Sequence, residues 1–241
     1  MKEIHVGCSG FYNTDWKGEF YPVNLSSKNY LEYYSKIFNA VEINSSFYRK
    51  PTMKTLQNWN DTTPDEFRFF IKIPKKITHD ERMKNVTDPI KEFCTHIASG
   101  LKNKLSGFLF QLPPSFIFSN ENTQRIITAL DDTYLNVIEF RHASWWNKEV
   151  QHILTEKNIV FSGVSIPKNI SDEVIMSHPD ILYYRLHGTP VMFRSAYSEE
   201  FLNALAIQIK NAEKTAYVFF NNTWGLSAIR NAKYFQEQIT S

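Results

Sequence analysis

Acidic, basic and amide side chains recur at the ends of short runs of β-branched and aromatic residues. VEIN carries Glu42 and Asn44, FIK ends in Lys72, FQL carries Gln111, IEFR carries Glu139 and Arg141, YRLH carries Arg185 and His187, and FNN carries Asn221. Two carboxylates can divide general-acid and general-base roles when their surroundings push their pKa values apart. Glu139 is the one expected to stay ionised, because Arg141 lies two residues on and a neighbouring cation favours the charged carboxylate. Glu42 and Glu139 are therefore read as the proton-moving pair, with His187 assisting because imidazole titrates near neutrality. Lys72, Arg141 and Arg185 suit a phosphate or carboxylate, and Asn44, Gln111 and Asn221 suit hydroxyls. A depressed pKa would make Lys72 a Schiff-base nucleophile instead; nearby carboxylates favour the clamp.

Such groups act together only if a scaffold brings the run ends to one place. Eight runs have strand character: Ile4–Ser9, Ala40–Asn44, Phe69–Ile73, Phe108–Leu112, Val137–Arg141, Ile159–Val164, Leu182–His187 and Tyr217–Asn221. Helical segments are expected at Asn29–Phe38, Asp88–Lys102, Gln124–Leu130, Lys148–Glu156, Glu199–Ala212 and Ser227–Gln238, with Ser198 and Ser227 as N-caps. The sixth crossover, between Ser165 and Leu182, contains Pro167 and Pro179 and is expected to lack a full helix. Eight units in 241 residues give roughly 30 residues per unit, the length of a βα repeat. The expected architecture is α/β, a single (β/α)8 barrel of the TIM type over residues 1–241.

Parity sorts the strand residues into two faces. Val41, Ile43, Ile71, Ile73, Phe108, Phe110, Ile138, Phe140, Val218 and Phe220 form an almost wholly apolar class, as a helix-covered face requires. The other class begins with Phe70, Leu109, Val137, Tyr183 and Phe219 and turns polar toward each strand's carboxyl end, where barrels of this type place their sites. Three cations against two carboxylates leave an excess of one positive charge inside. Two readings follow: a structural ion-pair network capping the core, or a pocket whose anion-holding groups await a ligand. Phe11, Tyr12, Trp16, Phe47, Tyr48, Trp145, Trp146 and Trp224 follow strand runs and are placed either to stack on a ligand or to close the barrel top.

Charge and spacing narrow the partners. With 27 Lys+Arg against 25 Asp+Glu, the chain has no broad basic footprint for duplex DNA or an anionic membrane. MKEIHVGCSG lacks a signal-peptide pattern, and Cys8 and Cys94 lack zinc-ligand or C-x-x-C spacing, so a cytosolic protein with free thiols is expected. His79, His142 and His187 join the glutamates as ligand types, but no metal spacing is present and the cations oppose a divalent ion, so no metal is expected. Neither G-x-G-x-x-G nor Walker A occurs, and no cofactor is expected.

The segments GCSGFYNTDWKGEFYP, VEINSSFYRKP, ITH, FQLPPSF, IEFRHASWW, YYRLHG and FNN, in this order, resemble the YecE-like family, also known as domain-of-unknown-function family 72. The resemblance runs from Val6 to Ala232. It implies a TIM-type barrel and a set of motif positions in which Tyr48, His79, His142, Trp145, Gly188 and Asn222 stand with the strand-end residues, with no established activity. The family's sixth strand often ends in Asp; here FSGVSIP offers Ser165, so a mechanism needing a third carboxylate does not carry over. The expected function is a metal-independent acid/base enzyme for a small anionic, hydroxylated molecule such as a sugar phosphate. The alternatives are a nuclease-type barrel that stacks aromatics on bases, and a non-catalytic metabolite-binding or partner protein.

Overall fold

Parallel strands alternate with helices along most of the chain, in a computed structural model that describes residues 2–167, 170 and 172–240. The strands are β1 (Ile4–Cys8), β2 (Ala40–Ile43), β3 (Arg68–Lys72), β4 (Leu105–Gln111), β5 (Asn136–Glu139), β6 (Ile159–Phe161), β7 (Gly163–Ser165), β8 (Ile181–Leu186) and β9 (Thr215–Phe220). The helices are α1 (Tyr30–Ser35), α2 (Met53–Thr62), α3 (Thr87–Leu101), α4 (Asn120–Ala129), α5 (Lys148–Glu156), α6 (Glu199–Asn211) and α7 (Ser227–Thr240).

The strands form two parallel sheets, in the orders β2-β3-β4-β5-β6 and β1-β9-β8-β7. The closed ladder expected from eight runs is therefore not what the backbone makes. The sixth run divides: β6 pairs with β5, β7 pairs with β8, and Ser162 N–H between them still donates to Ile138 O at 2.8 Å. At the other edge, side chains stand where β1 and β2 would share a ladder. Val6 N–H donates to Asn39 Oδ1 at 2.8 Å and Asn39 Nδ2–H to Ile4 O at 2.9 Å. Tyr34 Oη accepts from Cys8 N–H at 2.6 Å and donates to Ala40 O at 3.1 Å. Gly7 permits this approach, since a Cβ there would lie 1.9 Å from Ala40 O.

The faces separate as parity requires. Val41, Ile43, Ile71, Phe108, Ile138, Val218 and Phe220 belong to the large cluster beneath the helices. Phe70, Leu109, Val137, Tyr183 and Phe219 form a second cluster with Ala40, Val160 and Tyr217, built from strands of both sheets. Phe70 packs edge-on against Tyr183 and Tyr217, 4.8 and 4.7 Å between ring centres. This apolar plug is the floor on which the polar strand ends rest.

Helix α2 was not legible as one. Its sequence, MKTLQNWNDT, buries only Leu56 and Trp59, a single i, i+3 pair, but Thr52 caps it by accepting from Thr55 N–H at 3.2 Å. Ser198 caps α6 as expected, accepting from Phe201 N–H. Ser227 does a different job: it is the first residue of α7 and its hydroxyl donates to Arg194 O at 2.9 Å. The sixth crossover has no helix among its described residues; Lys168, Asn169 and Ser171 lie outside them.

Candidate functional site

Two carboxylates and a guanidinium sit directly above the plug, all fully buried. Arg185 on β8 reaches across both sheets, its Nη2 to Glu42 Oε1 and its Nη1 to Glu139 Oε2, each at 2.6 Å. Glu42 also accepts from Ser9 Oγ at 2.6 Å and from Tyr183 Oη at 2.7 Å. Glu139 also accepts from Arg141 Nε and, at 3.0 Å, from His187 Nε2. Burial alone would raise the Glu139 carboxyl, yet Arg141 and Arg185, helped by the imidazole N–H, hold it well below the ordinary carboxylate range. Burial disfavours the charge on Arg185, but Glu139 and Glu42 outweigh it and keep the guanidinium firmly protonated.

Neighbouring donors fix the state of His187. Its Nε2 faces the Glu139 carboxylate and its Nδ1 lies 2.8 Å from Asn221 Nδ2, so Nε2 carries the proton and Nδ1 accepts. Asn221 Oδ1 in turn accepts from Asn44 Nδ2 at 3.4 Å. Burial, and then Arg141, push the imidazole down to about 3, so it is neutral at physiological pH. The near-neutral titration expected of His187 is thus overturned by its surroundings. Gly188, with φ +87°, then turns the chain away, its N–H bonded to Tyr197 Oη at 2.8 Å.

The rim above is half-buried. Lys72 Nζ donates to Gln111 Oε1 at 3.0 Å and lies 4.2 Å from the centre of the Phe47 ring; Gln111 is oriented by its own amide N–H on Leu112 O. Among the described residues no carboxylate stands within ion-pair distance of Lys72. Burial and the charge of Arg185, only partly opposed by Glu139 and Glu42, bring its ammonium down to about 8. Arg141 gives Nε to Glu139 and sets Nη2 against the His187 ring, 3.5 Å from Nδ1 and 3.1 Å from the protonated Nε2, which cannot accept it, while among the described residues Nη1 meets only the thioether of Met192 at 3.9 Å. His79 packs edge-on against Phe47, with Nδ1 2.9 Å from Thr78 Oγ1. Burial and the nearby lysines bring His79 down to about 4. Asn44 Oδ1 and Arg185 Nε are buried without a partner among the described residues.

The strand ends thus bring together Glu42, Asn44, Lys72, Gln111, Glu139, Arg141, Arg185, His187 and Asn221, with His79 on the rim beside Lys72. Other expected positions stand apart. Trp145 is fully buried, stacks 4.2 Å from the Phe140 ring and donates to Phe116 O at 2.7 Å, which makes it a core residue. His142 caps a short helical turn by accepting from Ser144 N–H. Asn222, of opposite parity to Asn221, donates to Ser195 O and Asn231 Oδ1 and so ties its own loop to the Ser195 loop and to α7. Tyr48 is 82% exposed beside Phe47. Ser165 Oγ lies 3.5 Å from Thr189 Oγ1 and joins neither carboxylate.

Ser9, Tyr183 and Met192 carry contacts that sequence reasoning did not assign. Ser9 shares the inward parity of its run, and Tyr183 precedes Arg185 by two, so the signal for both was present. Nothing in the order of residues marks Met192. Among the described residues, no three His, Cys, Asp or Glu side chains gather as a metal site, and no helix is long and apolar enough to cross a membrane.

A model for the protein family of unknown function DUF72 matches residues 5–241. The chain belongs to the DUF72 family. The UPF0759 protein YecE of Escherichia coli K12 is 35% identical over 113 residues, covering 47% of this chain and 39% of that protein. The UPF0759 protein YunF of Bacillus subtilis is 29% identical over 152 residues, 60% of this chain and 52% of that one. The chain thus matches about half the length of these curated relatives, or less. The crystal structure of a DUF72 family protein from Thermotoga maritima superposes with a TM-score of 0.88 at 30% identity, covering 99% of this chain and 100% of that one.

Proposed function

We propose that the two sheets work as one barrel of the (β/α)8 type and that its strand-end mouth is the site of a metal-independent enzyme for a small anionic, hydroxylated molecule. The observation that carries this reading is the imbalance at the mouth. Arg185 and Arg141 are matched by Glu42 and Glu139, which leaves Lys72 as a cation held by a neutral amide and an aromatic face. A phosphate or carboxylate would complete Lys72 and the spare N–H groups of Arg141, displacing only the thioether of Met192. The cations of the rim raise the cost of a divalent ion there, which favours chemistry carried by the side chains themselves.

The division of labour differs from the one expected of the sequence. Glu139 and His187 are each held in one protonation state by fixed partners, which suits positioning Arg141 and Arg185 rather than exchanging protons. Lys72 is the rim group whose charge changes near physiological pH. Isothermal titration with inorganic phosphate, sugar phosphates, carboxylic acids and a short single-stranded oligonucleotide tests this reading. Saturable binding of small anions that weakens at least about tenfold in Arg141→Met is expected. Binding of the oligonucleotide alone, falling steeply with salt, would move the assignment to nucleic acid.

A further inference from the structure

The two cations of the rim are built differently. Arg141 is anchored on Glu139 and presents N–H donors that a guanidinium cannot lose. Lys72 is a primary amine on the last residue of β3, and the end of that strand is pinned by Ser46 Oγ, which donates to Lys72 O at 2.6 Å. Its Nζ touches an amide oxygen and an aromatic face, neither of which takes up its proton or competes as a nucleophile. The groups acting on its charge are Arg185 and Arg141, which oppose it, Glu139 and Glu42, which support it, and His79, which is neutral. With burial added, a pKa of about 8 leaves roughly a quarter of the amine uncharged at pH 7.5, against about one part in a thousand for an ordinary lysine.

We propose that Lys72 is a covalent catalytic residue whose Nζ condenses with the carbonyl carbon of a small aldehyde or ketone, the anionic group of the same molecule being held by Arg141. This rests on the anion-site reading above and adds the substrate class, anionic carbonyl compounds. In the step, the nitrogen lone pair forms a bond to the carbonyl carbon while the C=O π pair moves to oxygen. One amine proton passes to that oxygen to give the carbinolamine. The nitrogen lone pair then expels the oxygen as water with the second amine proton, leaving a C=N bond. Nothing is oxidised or reduced and no co-reactant is needed. The imine nitrogen, taking up one proton from solvent, becomes a cation that the Phe47 face at 4.2 Å stabilises as it does the ammonium.

The test incubates the full chain separately with pyruvate, glyoxylate and glyceraldehyde 3-phosphate, adds borohydride to reduce any imine to a stable amine, and maps the adducts by peptide mass spectrometry. The expected result is labelling of Lys72 at least about tenfold above any other lysine with one or more of the three, rising from pH 6.5 to 8.5. That labelling should fall in Arg141→Met and in excess inorganic phosphate. Lys72→Arg keeps a cation but removes the nucleophile, so it should give no selective adduct with any of the three. Phosphate binding without selective labelling by any of the three would overturn the imine and leave the anion site standing. Selective labelling that neither phosphate nor Arg141→Met reduces would overturn the paired role of Arg141 and, with it, the anion-site reading. Labelling spread evenly over the lysines, with no phosphate binding, would overturn both.

Discussion

The inner and outer layers of the strand-end cluster use the same residue types to opposite effect. In the inner layer Glu42, Arg185, Glu139 and His187 are fully buried, and the contacts of the two carboxylates leave little for a ligand to take. In the outer layer Lys72, Gln111, Asn44 and Arg141 are only partly buried, and Lys72 and Arg141 keep spare donors. Burial with complete pairing makes a charge part of the scaffold, whereas partial burial with a neutral partner leaves it ready for a ligand. The two expectations drawn from the sequence, a structural ion-pair network and an anion pocket, thus describe two layers rather than competing for one.

The largest effect should come from the inner layer. Arg185→Met leaves Glu42 and Glu139 buried without their shared cation and is expected to cost about 3–5 kcal/mol in chemical denaturation. A loss within about 0.5 kcal/mol would erase the distinction between the layers. Acid should find the same layer next. The unfolded chain protonates His187 near pH 6.5, but the folded chain does so only near 3. Between those values the unfolded state binds more protons, so stability is lost as pH falls from about 6.5 toward 3. Glu139, whose folded pKa is also depressed, extends the loss below about 4.3. His187→Asn should flatten the part of the curve above about pH 4.3, measured as unfolding free energy against pH. An unchanged slope would mean that the imidazole is not held neutral.

Much of this layering was legible because parity needs only strands, and strands need only β-branched and aromatic runs. Phe70, Leu109, Val137, Tyr183 and Phe219 were sorted inward by spacing alone, and all five share the plug. Pairing was harder to read. A phenol such as Tyr183 reads as one more ring until its hydroxyl is seen on Glu42, and His187 reads as a proton shuttle until its desolvation is known. Trp145 and Asn222 belong to the same motifs as site residues but serve packing and loop tethering, a difference that depends on which way one side chain turns. The division of the sixth run between two partners depends on the ladder and leaves no mark in composition.

Smaller effects are expected from the outer layer. Lys72→Met removes a partly desolvated charge that has no carboxylate partner and should change stability by less than about 1 kcal/mol in either direction. A loss above about 3 kcal/mol in denaturant would place Lys72 with the scaffold. Smallest of all, Tyr48→Ala and Trp224→Ala, at side chains 82% and 64% exposed, should stay within about 0.5 kcal/mol. Their thermal midpoints without and with phosphate would show whether either ring also serves the mouth.

Whether Lys72 stands ready for an anion is decided by thermal unfolding of the wild-type protein and Lys72→Met across a phosphate series at constant ionic strength. The midpoint should climb with the logarithm of phosphate concentration in the wild type and stay flat in the variant. Equal climbs in both proteins, or none in either, would contradict it.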